Sequence, residues 1–207
     1  MIMKKTDCSA KSLYESLRKC PGDVVIPGLR PEAYAIPKDD IVKFPQRGRV
    51  SDAGASLKSI ATCKDDFVLA ADKKFFIIDI LTSASNLTAA SQGEQPSKTM
   101  LVSCTLKYAG NNEEAAGFCQ MANADDLVYV VRQRDGKYRI VGNDMFETDT
   151  KPGQDSGMSV TDASGTTLEI SVTDIGPAPY YTGKLVTEDG VIDCSTGDIV
   201  EEGAAGE

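Results

Sequence analysis

A chain of 207 residues, 41% of them hydrophobic, is long enough for one β-sandwich or barrel with extensions, and it holds no apolar run near the ~18–20 residues that a bilayer-crossing helix needs. With 31 acidic against 22 basic residues the formal charge is −9, so long-range repulsion opposes free binding to phosphate backbones. There is no histidine, which removes the commonest general base and the commonest transition-metal ligand, and there is no tryptophan.

In chain order, residues 9–20 predict a short helix, with Leu13 and Leu17 four apart and Pro21-Gly22 as its stop. The opening residues turn polar after two lysines instead of forming the apolar stretch of a secretory signal, which places synthesis and assembly in the cytosol. Prolines 27, 31, 37 and 45 punctuate the next segment, so residues 1–50 read as an irregular lead-in with brief extended pieces such as 32–36. Strands are expected at 56–62, 67–71 and 74–81, the last carrying Phe75, Phe76, Ile77, Ile78 and Ile80. Residues 82–98 turn to Ser, Ala, Thr, Gln and Gly, and read as one long polar loop. A strand resumes at 99–108. A helix follows, with Asn111 as cap, Glu114 in the capping-box position, and Ala115, Phe118, Cys119 and Ala122 on one face.

Residues 127–142 give the clearest local signal, two apolar runs around Asp135-Gly136, expected as a two-residue type I′ hairpin. In that register Arg134 opposes Lys137 and Arg132 opposes Arg139. All four charges then project from one face, while Val131, Ile140, Gln133 and Tyr138 pack inward. Residues 142–158 read as turn-rich, 166–174 as a strand with Leu168, Ile170 and Val172 inward, and 176–179 as the close of a domain spanning 51–180. The remaining 181–207 form an extension, with a second hairpin around Glu188-Asp189-Gly190 and a small acidic end, 201–207, expected to fray.

Candidate chemistry is sparse. The six cysteines (8, 20, 63, 104, 119, 194) have no C-x-x-C spacing, which favours reduced, packed thiols over metal ligands or disulfides. Asn86-Leu87-Thr88 matches a glycosylation sequon by chance. The acidic pairs 39–40, 65–66, 125–126 and 188–189 sit in turns, or point to opposite faces of strands. Residues 162–169 lack the glycine and twelve-residue spacing of a calcium loop, and Gly136-Lys137 and Gly183-Lys184 lack the flanking residues of a phosphate loop. The reading is a non-catalytic protein with no cofactor and no metal.

The order strand, polar loop, strand, short helix, hairpin, strands resembles the tail tube proteins of tailed phages and prophages of gut bacteria. The residues that carry the resemblance are 34–41, 113–122, 126–142 and 165–174, within 21–179. The resemblance implies a mainly β fold of two packed antiparallel sheets, a tail-tube-like sandwich or barrel with one flanking helix and a long inter-strand loop. It implies six copies closing into a ring around a shared barrel, rings stacked into a virion tube in contact with other tail proteins, and genomic DNA passing through without sequence-specific binding, with no membrane involved. It makes the 82–98 loop, with Leu87 and Pro96, the contact to the next ring, and the lead-in or the extension an arm across a neighbour. An acidic subunit suits a DNA conduit, because like charge within a Debye length of ~10 Å opposes adhesion.

Arg132, Arg134, Lys137 and Arg139 at the hairpin tip are expected to meet carboxylates of an adjacent subunit, relieving their mutual repulsion. Two other readings compete. One is a ring or adaptor protein of a short-tailed phage. The other is a β-sandwich ligand-binding module, for instance for carbohydrate, which the absence of Trp and the 6% aromatic content disfavour.

Overall fold

The computed structural model describes residues 13–159 and 163–200. In chain order the elements are β1 (Leu29–Pro37), a 3-10 turn (Lys38–Asp40), β2 (Ile41–Lys43), α1 (Leu57–Ile60), β3 (Thr62–Cys63), β4 (Val68–Leu69) and β5 (Phe76–Asp79). Then come β6 (Asn86–Gln92), β7 (Thr99–Tyr108), α2 (Glu113–Ala122), β8 (Leu127–Gln133), β9 (Tyr138–Val141) and β10 (Thr148–Asp155). The last are β11 (Gly165–Asp174), β12 (Tyr180–Tyr181), β13 (Lys184–Thr187), β14 (Gly190–Asp193) and β15 (Asp198–Val200). The fold is mainly β, in open sheets: β3-β12-β9-β8-β1-β5, β10-β11-β7-β6, β13-β14-β15 and β2-β4. Pairing is antiparallel except between β12 and β3. Among the described residues no helix is long and apolar enough to cross a membrane.

The six-stranded sheet is covered on both faces, and its sequence says why. Ala33 and Ala35 of β1, with Tyr129 and Val131 of β8, face a core shared with Val102, Cys104 and Leu106 of β7 and Leu168, Ile170 and Val172 of β11. Tyr34, Ile36, Val128 and Val130 alternate to the other face and meet Phe67, Phe75, Leu185 and Ile192. A strand buried on both sides needs apolar residues at every position, and this is why β8 begins Leu-Val-Tyr-Val-Val without alternation. The first core is the interior of a two-sheet sandwich. The second lies beneath the small C-terminal sheet.

Several expectations are corrected. The lead-in holds β1, a nine-residue strand hydrogen-bonded between β5 and β8. Pro31 fits there because the pairing with β8 shifts register between Leu29 and Ala33, so no ladder N–H is needed from it. Residues 13–20 are not helical, and 9–12 lie outside the described residues. The strand expected at 56–62 is instead the single turn of α1, started by a capping box between Ser56 and Ser59. β5 and β4 fall within their expected runs, but β4 is only two residues long. The cap of α2 is Asn112, whose side chain accepts the Ala115 N–H at 3.0 Å, one residue beyond the expected Asn111. The long polar loop and the turn-rich 142–158 segment contain the edge strands β6 and β10.

The C-terminal extension is part of the core. Its expected hairpin is present as β13–β14 with a two-residue loop at Glu188-Asp189, and it seats Leu185, fully buried, on Tyr34 and Tyr138's face of the large sheet. Residues 201–207 lie outside the described residues. The five described cysteines are free thiols, with Cys63, Cys104 and Cys194 buried as packed side chains. Burial pushes Cys63 up to about 11 and Cys104 up to about 12.

Candidate subunit interface

The hairpin tip differs from expectation by one residue of register. Arg132 pairs with Tyr138 and Val131 with Arg139, and the Gly136 N–H closes onto the Gln133 carbonyl at 2.9 Å. The loop therefore has three residues, Arg134 to Gly136, with only Gly136 at positive φ (90°), the arrangement of a turn followed by a glycine bulge. A one-residue slip moves every second side chain to the other face.

The four cations consequently do not share one face, although Lys137 and Arg139 both lie over the Tyr180 ring. Arg132 stacks over the Tyr138 ring at 5.0 Å on the C-terminal-sheet side. Arg139, on the opposite face, stacks over Tyr180 at 4.2 Å. Arg134 reaches back to the Leu29 carbonyl and the Thr82 hydroxyl at 3.4 and 3.2 Å. Lys137 pairs with Asp135 at 3.2 Å. Lys137 thus has a carboxylate partner, whereas Arg132 and Arg139 rest on aromatic rings and Arg134 on neutral oxygens. Leu87 lies on β6 and is packed against the first core, and Pro96 lies in the loop between β6 and β7. The structure does not bring these two together with the tip.

What the four-stranded sheet offers instead is two edges of different character. Lys107 turns its N–H to the Ser85 hydroxyl (3.0 Å) and its carbonyl to the Leu81 N–H (2.7 Å), so this side of β7 faces β6 at Lys107, Thr105, Ser103 and Leu101. Their partners Asn86, Thr88 and Ala90 point inward to β7, which leaves the N–H and C=O groups of Leu87, Ala89 and Ser91 on the open edge. β6 has seven residues, no charge and no proline. It lacks the usual devices that blunt an exposed edge.

The same alternation carried across β11 leaves Thr148, Thr150 and Pro152 facing the open side of β10. There the Thr148 N–H is taken by Asp126 Oδ1 at 2.9 Å, and Pro152 has no N–H to offer. The outward face of this sheet carries hydroxyls at Thr88, Ser103, Thr105, Thr167, Ser171 and Thr173, interspersed with the charged Lys107, Asp149, Lys151, Asp155 and Glu169. Its Lys151 is held to Asp149 at 3.0 Å.

Sequence reasoning missed a groove of about 1090 Å³ between the 44–50 segment, α1, and the turns after β9 and β11. Phe44, Val50, Leu57, Ile60 and Ile175 give it an apolar lining. At its wall Arg47 donates to Asp174 Oδ2 at 2.5 Å, with 16% and 4% of the two side chains exposed. Burial raises Asp174 above the ordinary carboxylate value, outweighing the attraction of Arg47 and the N–H donors of Ile175 and Gly176. Arg139 also lines the groove, and its Nε is buried without a hydrogen-bond partner. These residues come from three distant stretches, so no local motif announces them. Among the described residues no cluster of three or more His, Cys, Asp or Glu side chains could hold a metal ion.

Compared with known proteins, the chain matches no protein-family model, no curated protein and no solved structure.

Proposed function

We propose that the chain is a structural subunit that assembles with copies of itself, in the manner of the phage tail tube proteins that its sequence resembles. The observation that carries the reading is the unguarded β6 edge. A seven-residue uncharged strand with three outward backbone pairs is a template for another strand, and a protein that stays monomeric normally blunts such an edge.

The geometry of the sheet supports a cyclic arrangement. Its four strands alternate in direction, so β6 of one copy and β10 of the next, related by rotation about an axis, run antiparallel and extend one continuous ladder. On that side of β10 the Thr148 N–H is already taken and Pro152 has none, which leaves the N–H groups of Thr150 and Gln154 for such a ladder. This outward face would then line the inside of the ring. Its two lysines, Lys107 and Lys151, stand against Asp149, Asp155 and Glu169, with Lys151 held to Asp149, so it carries no net positive charge to hold passing DNA.

The test is Ala89→Pro. It removes an outward N–H and places a ring against any incoming strand, while the β6–β7 ladder, made by the alternate residues, is kept. Light scattering after size exclusion at rising concentration is expected to give closed wild-type rings of fixed stoichiometry and a folded variant that does not form them. Equal assembly of the two proteins would refute edge pairing through β6.

A further inference from the structure

An extended arm precedes β1, and the chain gives it nothing to pack on. Val24, Val25 and Ile26 are three consecutive branched apolar residues with 83%, 76% and 52% of their surface exposed. They are held in a defined shape. The Asp23 N–H closes onto the Cys20 carbonyl at 3.2 Å around Pro21-Gly22 (Gly22 φ 93°), and Pro27-Gly28 (Gly28 φ 98°) makes a second corner, after which the Gly28 carbonyl accepts the Arg134 N–H at 3.0 Å. Proline after Ile26 favours extended backbone at that residue. The segment is an acid followed by three apolar side chains, pre-shaped between two turns, so little freedom is lost when it docks.

The groove beside Arg47 has the complementary features. It is apolar, open and long enough for a few side chains, and its exposed rim residues Val50 and Ile175 are apolar as well. Its polar lining carries three guanidinium groups, Arg47, Arg49 and Arg139, against two carboxylates, the exposed Asp144 and the buried Asp174, which Arg47 already engages. Arg139 keeps a buried Nε donor unused. An occupant should therefore bring short branched apolar side chains and one carboxylate.

We infer that the groove receives the arm of a second copy of this chain, with Val24, Val25 and Ile26 seated on the Phe44, Leu57 and Ile175 lining and Asp23 meeting Arg139. The chain leaves its own arm exposed, and the contact is heterologous: each copy gives an arm and takes one, so copies link head to tail. This linkage does not require edge pairing through β6, and Ala89→Pro leaves it intact.

The test uses two variants of the full chain that alter only exposed side chains, the arm variant Val24→Ser/Val25→Ser/Ile26→Ser and the groove variant Ile175→Asp, both in the Ala89→Pro background to silence the other interface. Sedimentation velocity is expected to show association of the Ala89→Pro chain and monomers for each added variant alone. An equimolar mixture of the two variants should give a 1:1 complex that grows no further, because one supplies an arm and the other a groove. In parallel, a fluorescent peptide of residues 21–28 should bind the arm variant, and Asp23→Asn in the peptide or Arg139→Gln in the protein should weaken it about tenfold, the loss of one charge-assisted contact. A mixture that stays monomeric overturns the proposal. So does a peptide that binds Ile175→Asp as well as it binds the arm variant. Peptide binding to the arm variant with a wild-type arm that only ever docks within its own chain, seen as a monomer at all concentrations, overturns the copy-to-copy assignment.

Discussion

Replacing Arg47 by Ala would strand Asp174, a carboxylate with only 4% of its side chain exposed. Breaking a buried pair by removing one partner costs about 3–5 kcal/mol, because the remaining charge is left uncompensated in a poor dielectric. The Asp174 oxygens keep the Ile175 N–H at 2.6 Å, and Arg47 itself retains 16% exposure, so the lower end applies, about 3 kcal/mol. For a domain of this size each kcal/mol moves Tm by roughly 2–4 °C, giving a fall of roughly 6–12 °C in a circular-dichroism melt at pH 7. The pH dependence has a definite sign. Asp174 is raised above its unfolded value, so the stability it contributes is present below the ordinary carboxylate pKa and is lost as pH rises through the folded one. Removing Arg47 raises it further. The deficit of Arg47→Ala relative to wild type should therefore shrink between pH 7 and pH 4, and Arg47→Met with Asp174→Leu should recover most of the loss. A deficit under about 1 kcal/mol, or one equal at both pH values, would refute the picture of a buried charge whose desolvation outweighs its pairing.

Leu185→Ala, at a fully buried site where the C-terminal sheet meets Tyr34 and Tyr138, should cost about 2–5 kcal/mol in urea unfolding, whereas a removable extension would lose almost nothing. Gly136→Ala forces a Cβ into φ 90° in the three-residue loop and should cost about 1–2 kcal/mol, whether measured by heat or denaturant. Exposed Cys20 should alkylate at neutral pH while Cys63 and Cys104 label only on unfolding, as read by peptide mass spectrometry. Because those two thiols are raised to about 11 and about 12, the stability from burying them neutral is present below the ordinary thiol value and is lost as pH rises through these values, so Tm should begin to fall above roughly pH 9.

The elements legible in the sequence are those whose periodicity is set by burial on one face. β7 and β11 alternate cleanly because one side packs on the sandwich core and the other faces out, and α2 repeats its apolar residues at helical spacing. The missed strands are missed for physical reasons. β1 hides behind Pro31, which sits at a register shift, and β10 behind Pro152, whose absent N–H would point off an open edge. Apart from Leu87, β6 is built from Asn, Thr, Ala, Ser and Gln, a loop composition, because as an exposed edge it buries little. At the hairpin, Asp135-Gly136 marks the turn correctly, but local chemistry does not distinguish a two-residue from a three-residue loop, and that one residue redistributes Arg132 and Arg139 to opposite faces. Arg47, Arg139 and Asp174 converge only through the tertiary fold, so the groove has no signature along the chain.

Negative-stain imaging of the purified chain at high concentration, beside Ala89→Pro, bears most directly on the claim that this is a self-assembling subunit closed through its four-stranded sheet. Closed rings with an open lumen, alone or stacked, are the expected wild-type particles, and the variant should show none while its melt shows a folded protein. Wild-type chain that remains a dispersed monomer across the concentration range, or rings formed equally by Ala89→Pro, would contradict the account.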